Sequence, residues 1–520
     1  MAKLRGLLFG AIAPFIVAAC TQTAGGPPVG MTAAQGMAYC TQLATLYSEY
    51  VGDTGDDLGT TYSGGEEADL RARFAIAECE EGNTAKGIPT LQHRLRDAKV
   101  PVPPPAGTGL GETGRRAALD FVWTTVNERY YDAKLNGVDW HAARDRWQPR
   151  ALAAATDEQF WDCLDRMTGE LRDSHTRVDS PRRAEEIARH ESVTLGFAFR
   201  PLEGKLAVTG VNPESDAFWA GVRPGMTLAE VAGEPAQAAY AKALAEAREG
   251  STAQAKHLYA SRRILAGEEG STAILAFARG DGTPFTVSLK RLRAKVPPRV
   301  AHRMLPSGLG YIRLTGWEQS MQGRMIAAIE SLKDAPGLVV DLRGNPGGSA
   351  LMVRNVAAHF FGKKVKVAVG RTLTRTGKPI TLAFEWIEVV KLEQELEGKG
   401  TYLRPVVVLV NAASGSGSEL FAGLLQSQGR AKVVGQTSCG CLLAFMGYAG
   451  VPGGGKLAYS ELGFVFPDGR RIEGEGVVPD VAVPLAIADL LVDRDRALEE
   501  AQAVLKRTGV AAAPSPRHGP

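Results

Sequence analysis

The rhythm of apolar positions changes several times along the chain, and each change predicts a different kind of element. VVVLV (Val406 to Val410) is an unbroken run of β-branched and aliphatic residues, which predicts a buried strand. ELFAGLLQ, just after it, places apolar residues at helical spacing, so the small-residue segment NAASGSGSEL (Asn411 to Leu420) joins a strand to a helix. Between Val300 and Leu491 the segments GLGYIRL, GLVVDLRGNPGG, VVVLVN, KVVGQT and GVVPDVAVP punctuate helical stretches, which predicts an α/β core. From Val193 to Leu292 the texture is β-rich, with strands expected at TLGFAF, LAVTGV, AILAFA and FTVSLK. Upstream, RRAALDFVWTTVNERYYD and DEQFWDCLDRMTGEL carry a helical rhythm, and the second runs into RDSHTRVDS, placing His175 just past a helix end.

Near the N-terminus, Lys3 and Arg5 precede the apolar stretch Leu7 to Ala19, which is too short for a bilayer span but suits a secretory signal. It ends in VAAC, which resembles a bacterial lipobox. That resemblance implies lipidation of Cys20 as the first mature residue, and Thr21 after it favours an outer-membrane anchor facing the periplasm. Export permits disulfides. Cys40 and Cys79 lie in two helix-like segments separated by GDTGDDLGTTYSGG, so a helical hairpin stapled by Cys40 and Cys79 is expected, while Cys163 is expected in a helix core. VPVPPPAGTGLGETG (Val100 to Gly114) reads as a linker.

The expected organisation is a multidomain α/β chain: a lipoprotein signal over 1–19, the hairpin over 20–99, the linker over 100–114 and a helical cap with Ser174 and His175 over 115–190. A β-rich domain follows over 191–295, then a core over 296–491, and a C-terminal helix with a disordered tail over 492–520.

Across 520 residues, 60 Lys and Arg balance 57 Asp and Glu, a net charge of +3, which gives no sign of a nucleic-acid partner. No HExxH occurs, and the spacing of CGC (Cys439 to Cys441) does not suit a zinc site, so neither metal nor cofactor is expected.

Two readings compete for the serines of NAASGSGSEL. Ser414, Ser416 or Ser418 could cap the helix. A serine at a helix N-terminus also has exposed N–H groups beside it that can hold a developing oxyanion, which suits a nucleophile. The hydrolase nucleophile elbow is excluded, because serines stand where it requires glycine.

AFWAGVRPGMTLAEVAGEP (Ala217 to Pro235) has the order helix, turn, strand, glycine and resembles a PDZ domain. LGF (Leu195, Gly196, Phe197) matches the loop that captures a peptide's terminal carboxylate in that family, where peptides bind by adding a strand. The alternative is a PDZ-shaped module with no peptide groove.

Taken in order, the helical cap, the PDZ-like insert, VVDLRGNPGGS, NAASGSGSELFAGLLQSQGRAKVVGQT and IEGEGVVPD resemble the C-terminal processing (tail-specific) serine peptidases and the related tricorn core protease. The likeness runs from about Arg115 to Leu491 and implies a ClpP/crotonase-like peptidase core. Carried over, the nucleophile falls on Ser416, with the oxyanion held by the N–H of Gly417 and one from Gly347 or Gly348. Tail-specific peptidases use a lysine base, but Cys441 of TSCGC takes that lysine's place; Cys439 and Cys441 either pair or remain buried thiols. The tricorn-like branch implies instead Ser174 and His175 from DSHT and Glu473 from RIEGEGVVPD, with a histidine of near-neutral pKa as base and Glu475 as the rival carboxylate.

The reading is an envelope-anchored serine endopeptidase that cleaves peptides or protein tails through an acyl-enzyme. Its expected partners are a peptide or unfolded-protein substrate, with a C-terminal tail bound by the PDZ-like domain as one form of it, and a membrane through the lipid. A non-catalytic peptide- or ligand-binding lipoprotein is the runner-up, and a thiol enzyme using Cys441 the third.

Overall fold

Five aliphatic residues in a row can form a strand only where both of its faces are covered. Val406–Val410 meets that condition near the middle of a six-stranded sheet, in the computed structural model that describes residues 33–50, 70–97, 100, 102, 110–371 and 392–508. The strand order is Val300–Met304, Gly310–Leu314, Leu338–Asp341, Val406–Val410, Ala431–Gly435 and Val481–Ala482. The first pair is antiparallel and the rest are parallel. Val340, Val408 and Val433 join Met325, Val353, Phe421 and Leu424 from helices on one side. Their neighbours in sequence, Val339, Val407 and Val434, join Ala501, Val504 and Leu505 on the other. Alternation of side chains across the pleat sends each strand's residues to two cores.

The helix Arg496–Arg507 supplies that second layer. This is the helix expected within 492–520, and an amphipathic helix beyond the last strand is the cover the sheet's second face requires. Arg343 ties it down with two 2.8 Å bonds to Asp495. The expected tail, 509–520, lies outside the described residues, as do Cys20, the signal segment and most of the linker.

A second sheet joins Arg177–Asp179 to Gly455–Val465, whose other neighbours are Ala444–Val451 and Val365–Arg371. The cap helices Glu112–Arg129, Trp140–Leu152 and Asp157–Gly169 bury Leu119, Val122, Trp140, Phe160 and Leu164 with Leu457 and Tyr459 of that sheet. The cap begins at Glu112, and Cys163 is a half-buried free thiol packed beside it.

The β-rich region forms a further sheet in the order Phe197–Leu202, Lys205–Val211, Thr227–Val231, Thr272–Ala278 and Pro284–Lys290, with Glu234–Pro235 beside Thr227–Val231. Two helices, Ala236–Glu246 and Ala253–Leu265, bury Tyr240, Ala243 and Ala260 in its core.

Residues 33–50 and 70–97 make a unit of their own. It has three helices, Ala33–Tyr50, Leu70–Glu80 and Thr84–Asp97, and not the expected hairpin of two. Pro89 lies inside the third, where sequence reasoning would place a break. A disulfide joins Cys40 and Cys79, and by loop-closure entropy such a bridge is worth about 4 kcal/mol. Gly87 makes room for it: a Cβ there would stand 2.5 Å from Cys79 Sγ and 3.0 Å from Cys40 Sγ. No helix among the described residues is long and apolar enough to cross a membrane.

Candidate active site

The three serines after Val406–Val410 have different employment. Ser414 Oγ donates to Leu342 O at 2.8 Å and accepts the Asn411 N–H at 3.0 Å, which closes the turn after the strand. Ser418 Oγ donates to Asn345 O at 3.0 Å and accepts Trp317 Nε1–H at 3.1 Å, and both serines are fully buried. Ser416 is only partly buried, and its Oγ lies 3.0 Å from His175 Nε2. It precedes the helix Gly417–Ser427 with φ 49° and ψ −114°, a backbone state that costs a non-glycine residue of order 1–3 kcal/mol.

His175 reaches Ser416 from the loop between Asp157–Gly169 and Arg177–Asp179. That loop is clamped from several sides. Asp173 Oδ1 accepts the His175 N–H at 2.8 Å, and Oδ2 accepts the hydroxyls of Thr176 and Ser460. Arg248 donates to the carbonyls of Asp173 and Thr176 at 3.3 and 2.8 Å. Ser174 and Ser251 exchange reciprocal bonds, each N–H donating to the other's Oγ at 2.8 and 3.0 Å. The segment 248–251 between two helices of the β-rich region therefore shapes the loop that carries His175.

Burial pushes the His175 imidazole down to about 4; Asp173 pulls upward, and Arg177 and Arg248 push further down. The expected near-neutral value is thus corrected: removed from water, the ring is held neutral throughout the neutral range. A neutral Nε2 is the form that accepts a hydroxyl proton.

Glu473 is buried, and its Oε2 accepts the Leu442 N–H at 2.7 Å. No bond joins it to His175: Glu473 Oε1 and His175 Nδ1 are both buried without a hydrogen-bond partner. Burial first, and the charge of Asp173 second, raise the Glu473 carboxyl well above its ordinary range. The rival, Glu475, is exposed.

The NPGG turn lies against the Ser416 backbone. A Cβ on Gly347 would stand 2.6 Å from Ser416 Cβ, and one on Gly417 would stand 3.2 Å from Gly348 N. Gly347 and Gly348 hold φ of 109° and 137°, as glycines can. The Gly347 N–H donates to Asn345 Oδ1 at 2.9 Å, which leaves Gly348 as that turn's better candidate to pair with Gly417.

At the place of the tail-specific lysine, Cys441 is disulfide-bonded to Cys439, so it offers no thiol. Its carbonyl accepts the Ser416 N–H at 2.9 Å. Leu195, Gly196 and Phe197 are all buried; Gly196 has φ 84° and its N–H donates to Thr194 Oγ1 at 3.0 Å. The loop feeds Phe197–Leu202, the end strand of its sheet.

Two residues escaped the sequence reading. Asp173 sits two positions before His175 with nothing local to mark it. Glu419 accepts bonds from the Ser416, Gly440 and Cys441 N–H groups and from the Ser438 hydroxyl. It had a signal: Ser416 and Glu419 have the spacing of a capping box, in which a glutamate three residues on reaches back to the first N–H.

Comparison with known proteins adds two matches along the chain. Residues 308–483 match peptidase family S41, and residues 112–169 match the tricorn protease C1 domain. The carboxyl-terminal-processing protease of Picosynechococcus sp. is 27% identical over 387 residues, covering 73% of this chain and 86% of that protein. The chloroplastic carboxyl-terminal-processing peptidase 3 of Arabidopsis thaliana is 25% identical over 390 residues, covering 71% and 69%. Among solved structures, mature CPAF aligns with a TM-score of 0.58 at 16% identity, covering 77% of this chain and 100% of that one, a likeness of fold.

Proposed function

We propose, for a chain that carries a peptidase family S41 domain and is a serine-type peptidase, that it cleaves polypeptides near their carboxyl ends through an acyl-enzyme on Ser416. The observation that carries this reading is the 3.0 Å approach of His175 Nε2 to the hydroxyl of a serine held at a helix N-terminus. Ser416 Oγ attacks the scissile carbonyl as His175 takes its proton, and the imidazolium returns that proton to the leaving amine. The N–H groups of Gly417 and Gly348 receive the oxyanion. Water then attacks the acyl carbonyl with the same histidine as base, releasing the acid and restoring the serine.

Glu473 is assigned to the imidazolium. Its free Oε1 and the free His175 Nδ1 are the two groups that gain by pairing once substrate is bound, when catalytic hydrogen bonds tighten. Tail preference is supported by the printed names of the relatives and by the PDZ-like region, in which Leu195, Gly196 and Phe197 open onto an edge strand able to receive an extended peptide. The VAAC sequence supports lipidation of Cys20 and an envelope location, outer membrane facing the periplasm; loss of lipid labelling in Cys20→Ser is the check.

The test of the chemistry is labelling by a fluorophosphonate together with turnover of an unfolded protein. Wild type should do both, and Ser416→Ala and His175→Ala should each lose turnover. Undiminished turnover in Ser416→Ala removes the reading, and a folded wild type that neither labels nor cuts returns the chain to the binding-lipoprotein alternative.

A further inference from the structure

The Ser416 backbone needs an anchor. Its strained state at φ 49° exposes an N–H that is shared between two acceptors, Glu419 Oε2 and the Cys441 carbonyl, each at 2.9 Å. Glu419 is fully buried. Its Oε2 also accepts the Cys441 N–H at 3.0 Å, and its Oε1 accepts the Gly440 N–H at 2.6 Å and the Ser438 hydroxyl. One carboxylate thus joins the nucleophile's main chain to the loop closed by Cys439–Cys441. Three of the four partners are main-chain N–H groups that can only donate, and the fourth is a hydroxyl free to donate, so the ionised carboxylate is the form that suits them best.

We propose that Glu419 is a positioning residue for peptide hydrolysis, its ionised carboxylate holding Ser416 in the positive-φ conformation that aims Oγ at His175 and fixing the 438–441 loop to the same point. The proposal rests on the reading of Ser416 as nucleophile. Such an anchor acts on the chemical step, because a small displacement of the attacking oxygen costs rate far more than substrate affinity.

The electrostatics give the proposal a signature. Burial raises the Glu419 carboxyl to about 7, against the lowering effect of its four hydrogen bonds. The titratable groups that face it are Glu473, whose own carboxyl the Glu419 charge raises, and His175 across the Ser416 hydroxyl. Among the described residues no salt bridge reaches it. As pH falls through about 7 Glu419 takes up a proton, whereas His175 stays neutral until about 4. An acid limb of turnover near neutrality therefore belongs to a buried carboxyl and not to the base, and the Glu419→Gln and Ser438→Ala variants separate Glu419 from Glu473 as its source.

The experiment compares kcat, KM and the pH profile of kcat in wild type, Glu419→Gln, Ser438→Ala and Ser416→Ala, with folding checked by circular dichroism. Glu419→Gln should lower kcat by about a hundredfold with little change in KM, and should lose the limb near neutrality. Ser438→Ala removes one donor to the carboxylate, so its limb should move to higher pH. Should Glu419→Gln fail to fold, the Ser438→Ala shift decides: an unmoved limb overturns the proposal. Full turnover in a folded Glu419→Gln overturns it as well. Turnover surviving in Ser416→Ala is a different result, which removes the nucleophile and not merely its anchor.

Discussion

Asp173 accepts the backbone N–H of His175, two residues on, at 2.8 Å, while its second oxygen takes hydroxyls from Thr176 and Ser460. The carboxylate therefore orders the loop that presents the imidazole, and its charge is the influence that favours the protonated ring. Asp173→Asn removes that charge. Its kcat should fall by about tenfold to a hundredfold, because the imidazolium that forms during attack loses a stabilising neighbour. The sign follows: without the negative charge the imidazole is harder to protonate, so its titration moves below about 4. NMR of the ring in the folded variant checks this, and an unchanged titration counts against it.

Glu473→Gln should fold normally, since an amide oxygen can still accept the Leu442 N–H. Turnover should drop by about tenfold or more with KM preserved, as expected when a group acts only on the charged transition state. Undiminished kcat would assign Glu473 to loop structure alone.

Ser418→Ala separates structure from chemistry within one short segment. Trp317 Nε1–H would be left buried without its acceptor, at a cost of about 1–3 kcal/mol in denaturant unfolding, while fluorophosphonate labelling of Ser416 should persist. Wild-type stability in this variant would contradict the bond.

The cysteines make a chemical prediction. Alkylation of the denatured, unreduced protein should modify Cys163 and spare Cys40, Cys79, Cys439 and Cys441, as peptide mapping can show. Cys441→Ala should remain active, because what Cys441 offers the Ser416 N–H is its main-chain carbonyl, which alanine keeps. Abolished turnover in a folded Cys441→Ala would return the base to that loop.

Local pattern went far. The β-branched run Val406–Val410, the small residues after it and the helical rhythm from Glu419 place Ser416 between strand and helix, and the alternation from Val300 onward gives an α/β core. Motif order then selects Ser416 and His175 from all other serines and histidines. The third N-terminal helix was not legible because Pro89 looks like a break, and the role of Arg496–Arg507 was not because nothing local says which sheet face lacks a cover.

What the sequence determined by itself are properties set by neighbours in the chain: periodicity, turn chemistry and the strand-to-helix placement of Ser416. Tertiary structure alone decided the properties that need residues far apart. His175 and Ser416 are 241 positions apart, and they meet because Arg177–Asp179 pairs with Gly455–Val465 while Arg248 and Ser251 clamp the intervening loop. Burial, a sum over every element packed around a group, then lowers the imidazole and raises the Glu419 carboxyl. Ser416 and Glu419 would read as a helix cap in any sequence; only the packed loop of Ser438, Gly440 and Cys441 supplies the donors through which the glutamate ties the Ser416 main chain to that loop.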